Sequence, residues 1–118
     1  MAKHNETGIK GEQIAENFLL KKGYRILHCN WRFGRKEVDI IAEKDKVLVF
    51  VEVKTRSSYH FGYPEEAVNL KKQGFLKLAA EAFLETEPSY TYARFDTISI
   101  LLERGSPTEV LHFEDAFY

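Results

Sequence analysis

Asp39, Glu52 and Lys54 are the residues of this chain whose types and spacing suit bond-breaking chemistry. Five consecutive apolar residues, Val47-Leu48-Val49-Phe50-Val51, argue for a strand buried on both faces. Glu52 and Lys54 continue that run, where a charge is costly unless it is paired or holds a metal. Alternation along a strand puts Leu48, Phe50, Glu52 and Lys54 on one face. With Lys44 and Asp45 at the tip of the preceding turn, Asp39 lies opposite Phe50 and diagonal to Glu52, about 7 Å away at the backbone. Glu37 then lies opposite Glu52, either joining the site or sitting at a surface edge. Two converging carboxylates are hard-oxygen ligands that suit Mg2+ or Mn2+, taking up part of a shell otherwise filled by water. A lysine one step along the strand can orient or deprotonate the attacking water and stabilise charge on a phosphate. The competing reading is a buried pair, Glu52–Lys54 or Asp39–Lys54, that serves structure alone. The place of Glu52 and Lys54 at the end of an apolar strand, after a same-face Asp39, weighs for the site.

These residues need strands, and the pattern around them supplies strands. Glu37 to Ala42 and Val47 to Lys54 are β-branched runs around the polar turn Glu43-Lys44-Asp45-Lys46. Before them, Thr7 caps a helix from about Gly8 to Lys22 with Ile14, Ala15, Phe18 and Leu19 as its apolar stripe. Gly23 closes that helix as a left-handed residue. Tyr24 to Cys29 reads as a short strand, followed by a turn-rich stretch from Asn30 to Lys36. Gly62, Tyr63 and Pro64 mark a loop. A second helix covers Asn69 to Glu85, with Leu76, Ala79, Ala80, Phe83 and Leu84 facing inward. Strands follow at Arg94 to Leu102 and Glu109 to Phe113. Helix, three strands, helix and strands in one short chain predict an α/β fold with a mixed central sheet flanked by helices.

Composition narrows the function classes. A chain of 118 residues, 44% hydrophobic, is sized for one domain spanning 1–118. The longest apolar run is far too short to span a membrane, and the polar start carries no signal-peptide core. The single cysteine, Cys29, allows no internal disulfide and no cysteine-based zinc cluster. The chain therefore reads as soluble and cytoplasmic. Net charge is −1, but positions 1–36 hold eight Lys or Arg against three Glu, and acidic residues dominate the C-terminal third. Such asymmetry marks a phosphate-facing surface or simply a solvated face.

The surrounding residues are weaker signals. Lys10, Arg32, Arg35 and Lys36 form a candidate phosphate track, and Thr55 and Arg56 directly follow Lys54. Trp31 and Phe33 either stack on bases or cover the core. Lys71 and Lys72 are expected to be solvated, Cys29 to be a buried strand residue, and Arg94 with Asp96 to form a structural pair on one strand face. His4, His28, His60 and His112 lack metal-ligand spacing.

Asp39 followed by Glu52-Val53-Lys54 resembles the PD-(D/E)XK motif of the restriction-endonuclease-like superfamily, with Val38 in place of the proline that names it. The expected αβββαβ order is similar to the common core of that superfamily. More closely, the chain resembles the YraN-like family of small bacterial proteins, itself similar to archaeal Holliday-junction resolvases. The stretches that carry the resemblance are Gly11-Glu12-Gln13-Ile14-Ala15, Glu37 to Ile41, Val49 to Arg56, and Arg94-Phe95-Asp96. The resemblance implies Asp39 and Glu52 as metal ligands and Lys54 as the catalytic lysine. Glu12 matches a first-helix acid that completes such sites in resolvase-like members, or is a solvent-facing residue near the helix N-terminus. Resolvase-like proteins work as dimers, which raises a homodimer here, although no apolar stripe defines a two-fold interface.

The leading expectation is a magnesium-dependent endonuclease-like protein acting on DNA phosphodiesters, structured or branched DNA included. Two alternatives stand beside it: a non-catalytic nucleic-acid-binding module and a protein-interaction domain using the acidic C-terminal third.

Overall fold

Helix α1 spans Glu6–Lys21 in the computed structural model, which describes residues 6–57 and 70–117. It gives way to the chain at Gly23, whose φ of 93° is the left-handed conformation that ends helices. Strands β1 (Arg25–Phe33), β2 (Lys36–Lys44) and β3 (Val47–Arg56) follow, then helix α2 (Leu70–Thr86) and strands β4 (Ala93–Glu103) and β5 (Ser106–Phe117). The five strands form one mixed sheet in the order β1-β2-β3-β4-β5. Only the β3–β4 pair is parallel, and the connection between those strands carries α2. The fold is thus the α/β arrangement that the sequence predicts. The loop expected at Gly62, Tyr63 and Pro64, the helix start at Asn69, and His4 and His60 lie outside the described residues.

Several boundaries differ, each for a physical reason. The first strand continues past Cys29 to Phe33, because Trp31 and Phe33 pack against the α2-side core, and the turn waits for Gly34 at φ 67°. Cys29 is exposed rather than buried, since β1 is an edge strand. The β2–β3 turn has its tip one residue later than expected. Asp45 and Lys46 both take positive φ, 52° and 67°, which makes a two-residue hairpin whose twist matches the flanking strands. Lys44 therefore pairs with Val47 and Ile41 with Phe50, so Asp39 is not opposite Phe50. Glu37 pairs with Arg32 of β1 and not with Glu52.

Alternation along the central strands builds two cores, one on each side of the sheet. Ile40, Ala42, Val49, Val51, Ile98 and Ile100 meet Ala15 and Leu19 of α1. Val38, Ile41, Leu48, Phe50 and Phe95 meet Leu76, Ala79, Ala80 and Phe83 of α2. Leu84 packs at the margin of that second core. The α1 layer sits very close to the sheet at Gly11, where any Cβ would collide with the side chain of Thr55. That approach brings Glu12 toward the sheet.

Candidate functional site

The central hairpin splits where Asp39 stands. Pairing between β2 and β3 runs only from Lys44↔Val47 to Ile40↔Val51. Beyond it β2 continues with β1 alone, through Trp31↔Val38 and Arg32↔Glu37. β3 continues with β4 alone, as far as Arg56↔Leu101. The result is a fork with Asp39 on one arm and Glu52 and Lys54 on the other. Asp39 Oδ2 accepts a hydrogen bond of 2.8 Å from the Val53 N–H, a side-chain substitute for the ladder that ends there.

The two arms present their carboxylates from different sides. Val38 belongs to the α2-side core and Ile40 to the α1-side core, so strict alternation in β2 breaks across Asp39. Beside it in β1, Asn30 takes a positive φ of 53°, while the register is the same on either side of it, at Cys29↔Ile40 and Trp31↔Val38. Asp39 lines a cavity of about 350 Å3 with Glu12, Glu16, Cys29 and Asn30 on the α1 side. Glu52, next to Phe50 on the α2 side, is 15% exposed, and its Oε2 lies 3.3 Å from Lys72 Nζ of α2. Its Oε1 is buried with no hydrogen-bond partner among the described residues. Lys54 follows Glu52 by alternation and is half-buried.

The electrostatics fit a cation. Burial pushes the Asp39 carboxyl up to about 6, against the hydrogen bond from Val53; the charges of Glu12 and Glu52 push the same way as burial, and Lys72 opposes them. A divalent ion where the strands have parted, reached by Asp39 from the α1 side and by Glu52 from the α2 side, would offset that repulsion and engage a lone pair of Glu52 Oε1. Two carboxylates with water completing the shell suit Mg2+. Among the described residues no three His, Cys, Asp or Glu side chains lie close enough to hold one ion, so Glu12, Asp39 and Glu52 are not drawn into a closed cage.

The cavity has its own chemistry. Cys29 donates its thiol proton to Glu16 Oε2. Partial burial of the sulfur against the cavity wall, that bond and the charges of Glu16 and Glu12 push the thiol up to about 12, which favours the protonated form.

The basic residues are spread along the fork. Arg35 sits at the exposed tip between β1 and β2, Arg32 lies 3.7 Å from Glu37, and Lys36 Nζ lies 5.6 Å from the Phe75 ring centre. Arg56 is half-buried at the end of β3. Trp31 and Phe33 stack on each other and against Phe83 and Phe75, so they cover the core.

Three features escaped the sequence reading. Lys72, expected to be solvated, faces Glu52; its place in the first turn of the crossover helix was the available signal. Gly11 inside a helix signals a close approach, because glycine there is otherwise unfavourable. Thr97 and Ser99 alternate with isoleucines in a buried strand, a pattern that marks polar atoms on one face.

A second charged cluster is architectural. Asp96, 1% exposed, receives two hydrogen bonds from Arg94, a short contact from His112 Nε2 and one from the Asp115 N–H. Burial alone would raise its carboxyl, but the bonds from His112, Arg94 and Asp115 outweigh it and hold Asp96 below the usual range. Arg94 also donates to Tyr24, tying β4 to the end of α1. The pair expected from sequence is present, within a larger network.

Comparison with known proteins places the chain in a family. It belongs to the family described as "Uncharacterised protein family UPF0102", whose pattern matches residues 11–100. It is 46% identical to the UPF0102 protein FP2501 of Flavobacterium psychrophilum, over 100% of this chain and 98% of that one. A UPF0102 protein of Natranaerobius thermophilus is 48% identical over 93% of this chain and 95% of its own. Among solved structures, Pyrococcus furiosus SfsA in complex with Ca2+ aligns at a TM-score of 0.36 and 19% identity, covering 90% of this chain and 62% of that one. Among the described residues no helix is long and apolar enough to cross a membrane.

Proposed function

We propose that this chain is a divalent-cation-dependent, endonuclease-like hydrolase of DNA phosphodiesters, of the PD-(D/E)XK kind. The observation that carries the reading is the fork. It places Asp39, raised to about 6 by burial first and by the charges of Glu12 and Glu52 second, across from the arm of Glu52, whose Oε1 is buried and unpartnered among the described residues. Asp39 and Glu52 would hold Mg2+ or Mn2+, with Glu12 across the cavity as an outer acid. The ion would supply charge neutralisation at the phosphate and acidify its water. Lys54, next to Glu52 on the same face, stabilises negative charge that develops on the phosphate or accepts a proton from the attacking water. Arg56, Arg32, Arg35 and Lys36 hold the DNA backbone in register without reading sequence.

A second reading draws on the Lys72–Glu52 ion pair, which gives Glu52 a cationic partner without any metal. It makes the chain a nucleic-acid-binding module without turnover. A cleavage panel of linear, single-stranded, flap and four-way DNA, with magnesium or manganese, separates the two. Asp39→Asn and Lys54→Ala are expected to abolish cleavage while leaving the fold intact. Equal cleavage by wild type and both variants would sink the enzyme reading, and salt-sensitive binding without cleavage would favour the module.

A further inference from the structure

Two hydroxyl-bearing residues of β4 flank the fork. Phe50 and Phe95 pair across β3 and β4 with ring centres 5.9 Å apart, which fixes that row on the α2 side of the sheet. Two residues further along each strand, Glu52 pairs with Thr97, and then Lys54 with Ser99. Alternation keeps all four on the same face. Thr97 is 3% exposed and Ser99 0%. Thr97 Oγ1, Ser99 Oγ and Glu52 Oε1 are buried, and each lacks a hydrogen-bond partner among the described residues.

Three unsatisfied polar atoms in two adjacent rows form one strip. Buried polar atoms are nearly always satisfied by protein or by ordered water. Apolar side chains of similar size would fill these places in a core strand without any such demand. An ionised carboxylate only accepts hydrogen bonds, whereas a hydroxyl both donates and accepts. A water among them can donate to Glu52 Oε1 and exchange hydrogen bonds with the hydroxyls.

We propose that Thr97 and Ser99 are positioning residues for Glu52, acting through a shared buried water that donates to one lone pair of Oε1 and leaves the other for the ion, while Lys72 engages Oε2. The inference deepens the reading of Glu52 as a metal-holding carboxylate, because ligating carboxylates depend on the groups that orient them from behind. It extends the site from two strands to three.

The test compares wild type with Thr97→Val, Thr97→Ser and Ser99→Ala. High-resolution crystal structures and the Glu52 carboxyl 13C resonance are read without metal, and Mn2+ affinity is read by titration. The expected wild-type structure has a water within hydrogen-bond distance of Glu52 Oε1 and of Thr97 Oγ1 or Ser99 Oγ. Thr97→Val should displace the Glu52 resonance and weaken Mn2+ binding about tenfold, and Thr97→Ser should restore both. If Thr97→Val does not fold, the wild-type water and the Ser99→Ala resonance decide. Absence of the water, or a Glu52 resonance unmoved in every folded variant, overturns the proposal. A water and a displaced resonance in a protein that binds no Mn2+ support the positioning role and overturn the metal reading instead.

Discussion

Asp39 carries a conflict between burial and charge that Asp96 escapes through its bonds from His112, Arg94 and Asp115. Its folded value of about 6 stands above the ordinary 3.8, so between those values the folded chain binds more protons than the unfolded one. Stability therefore falls as pH rises through that window, by up to about 3 kcal/mol, and stays low above it. Asp39→Asn keeps a carbonyl oxygen for the Val53 N–H and removes the charge. The variant should flatten the pH dependence and leave Tm at neutral pH unchanged or raised. Millimolar-range magnesium should raise the wild-type Tm by binding the folded state, and that shift should vanish in the variant. Breaking a structural buried pair would instead cost about 3–5 kcal/mol with no metal dependence. Thermal unfolding across pH, with and without magnesium, reads all of this. A large loss in metal-free Asp39→Asn together with no wild-type shift would make Asp39 architecture. The types at this site are legible because charges rarely end an apolar strand. The Lys72 contact is not, because it depends on where a crossover helix lands.

The elements that hold these residues are set by turns and close approaches, which sequence encodes unevenly. The strands were legible from their β-branched runs, yet the register was not. Asp45 and Lys46 carry no glycine to announce their left-handed conformations, and the tip moved by one residue. Alternation likewise cannot reveal the break at Asp39, which arises where β2 parts from β3 and stays paired with β1 alone. Gly11 gives a direct test of how α1 positions Glu12. Gly11→Ala should destabilise by about 1–3 kcal/mol through overpacking against Thr55, although alanine is the better helix former. Gly74 in α2 is the control: a Cβ there meets nothing within 4 Å, and Gly74→Ala should stabilise by up to about 1 kcal/mol. Denaturant unfolding of both variants checks the pair. Equal stabilisation of both would mean that α1 can shift outward without cost, and that Glu12 is not held by packing.

Charge at the scale of the whole molecule decides whether the fork meets nucleic acid. The net charge of −1 offers no general attraction, so binding must come from the uneven distribution. That distribution was legible from the sequence as an excess of basic residues in positions 1–36. Its layout was not, because Arg32 and Lys36 also engage Glu37 and Phe75 across neighbouring elements. Arg35 at the β1–β2 tip and Arg56 at the end of β3 lie on the two arms that part beyond Ile40↔Val51. A DNA backbone tracking the fork would displace counterions, so affinity should fall steeply as salt rises. Reversing Arg32, Arg35 and Lys36 together to Glu should weaken binding at low salt and reduce the salt slope by up to about one unit per lost phosphate contact. Because phosphate contacts carry no sequence information, the loss should be similar for linear and branched DNA of unrelated sequence. Binding isotherms at several salt concentrations measure both quantities. Arg56→Ala, tested alone, reports the other arm. If the triple reversal leaves affinity and slope unchanged while Arg56→Ala lowers them, DNA follows the β3 arm only. If neither change alters binding, the fork is not the contact surface, and the basic excess of the N-terminal segment is a solvated face.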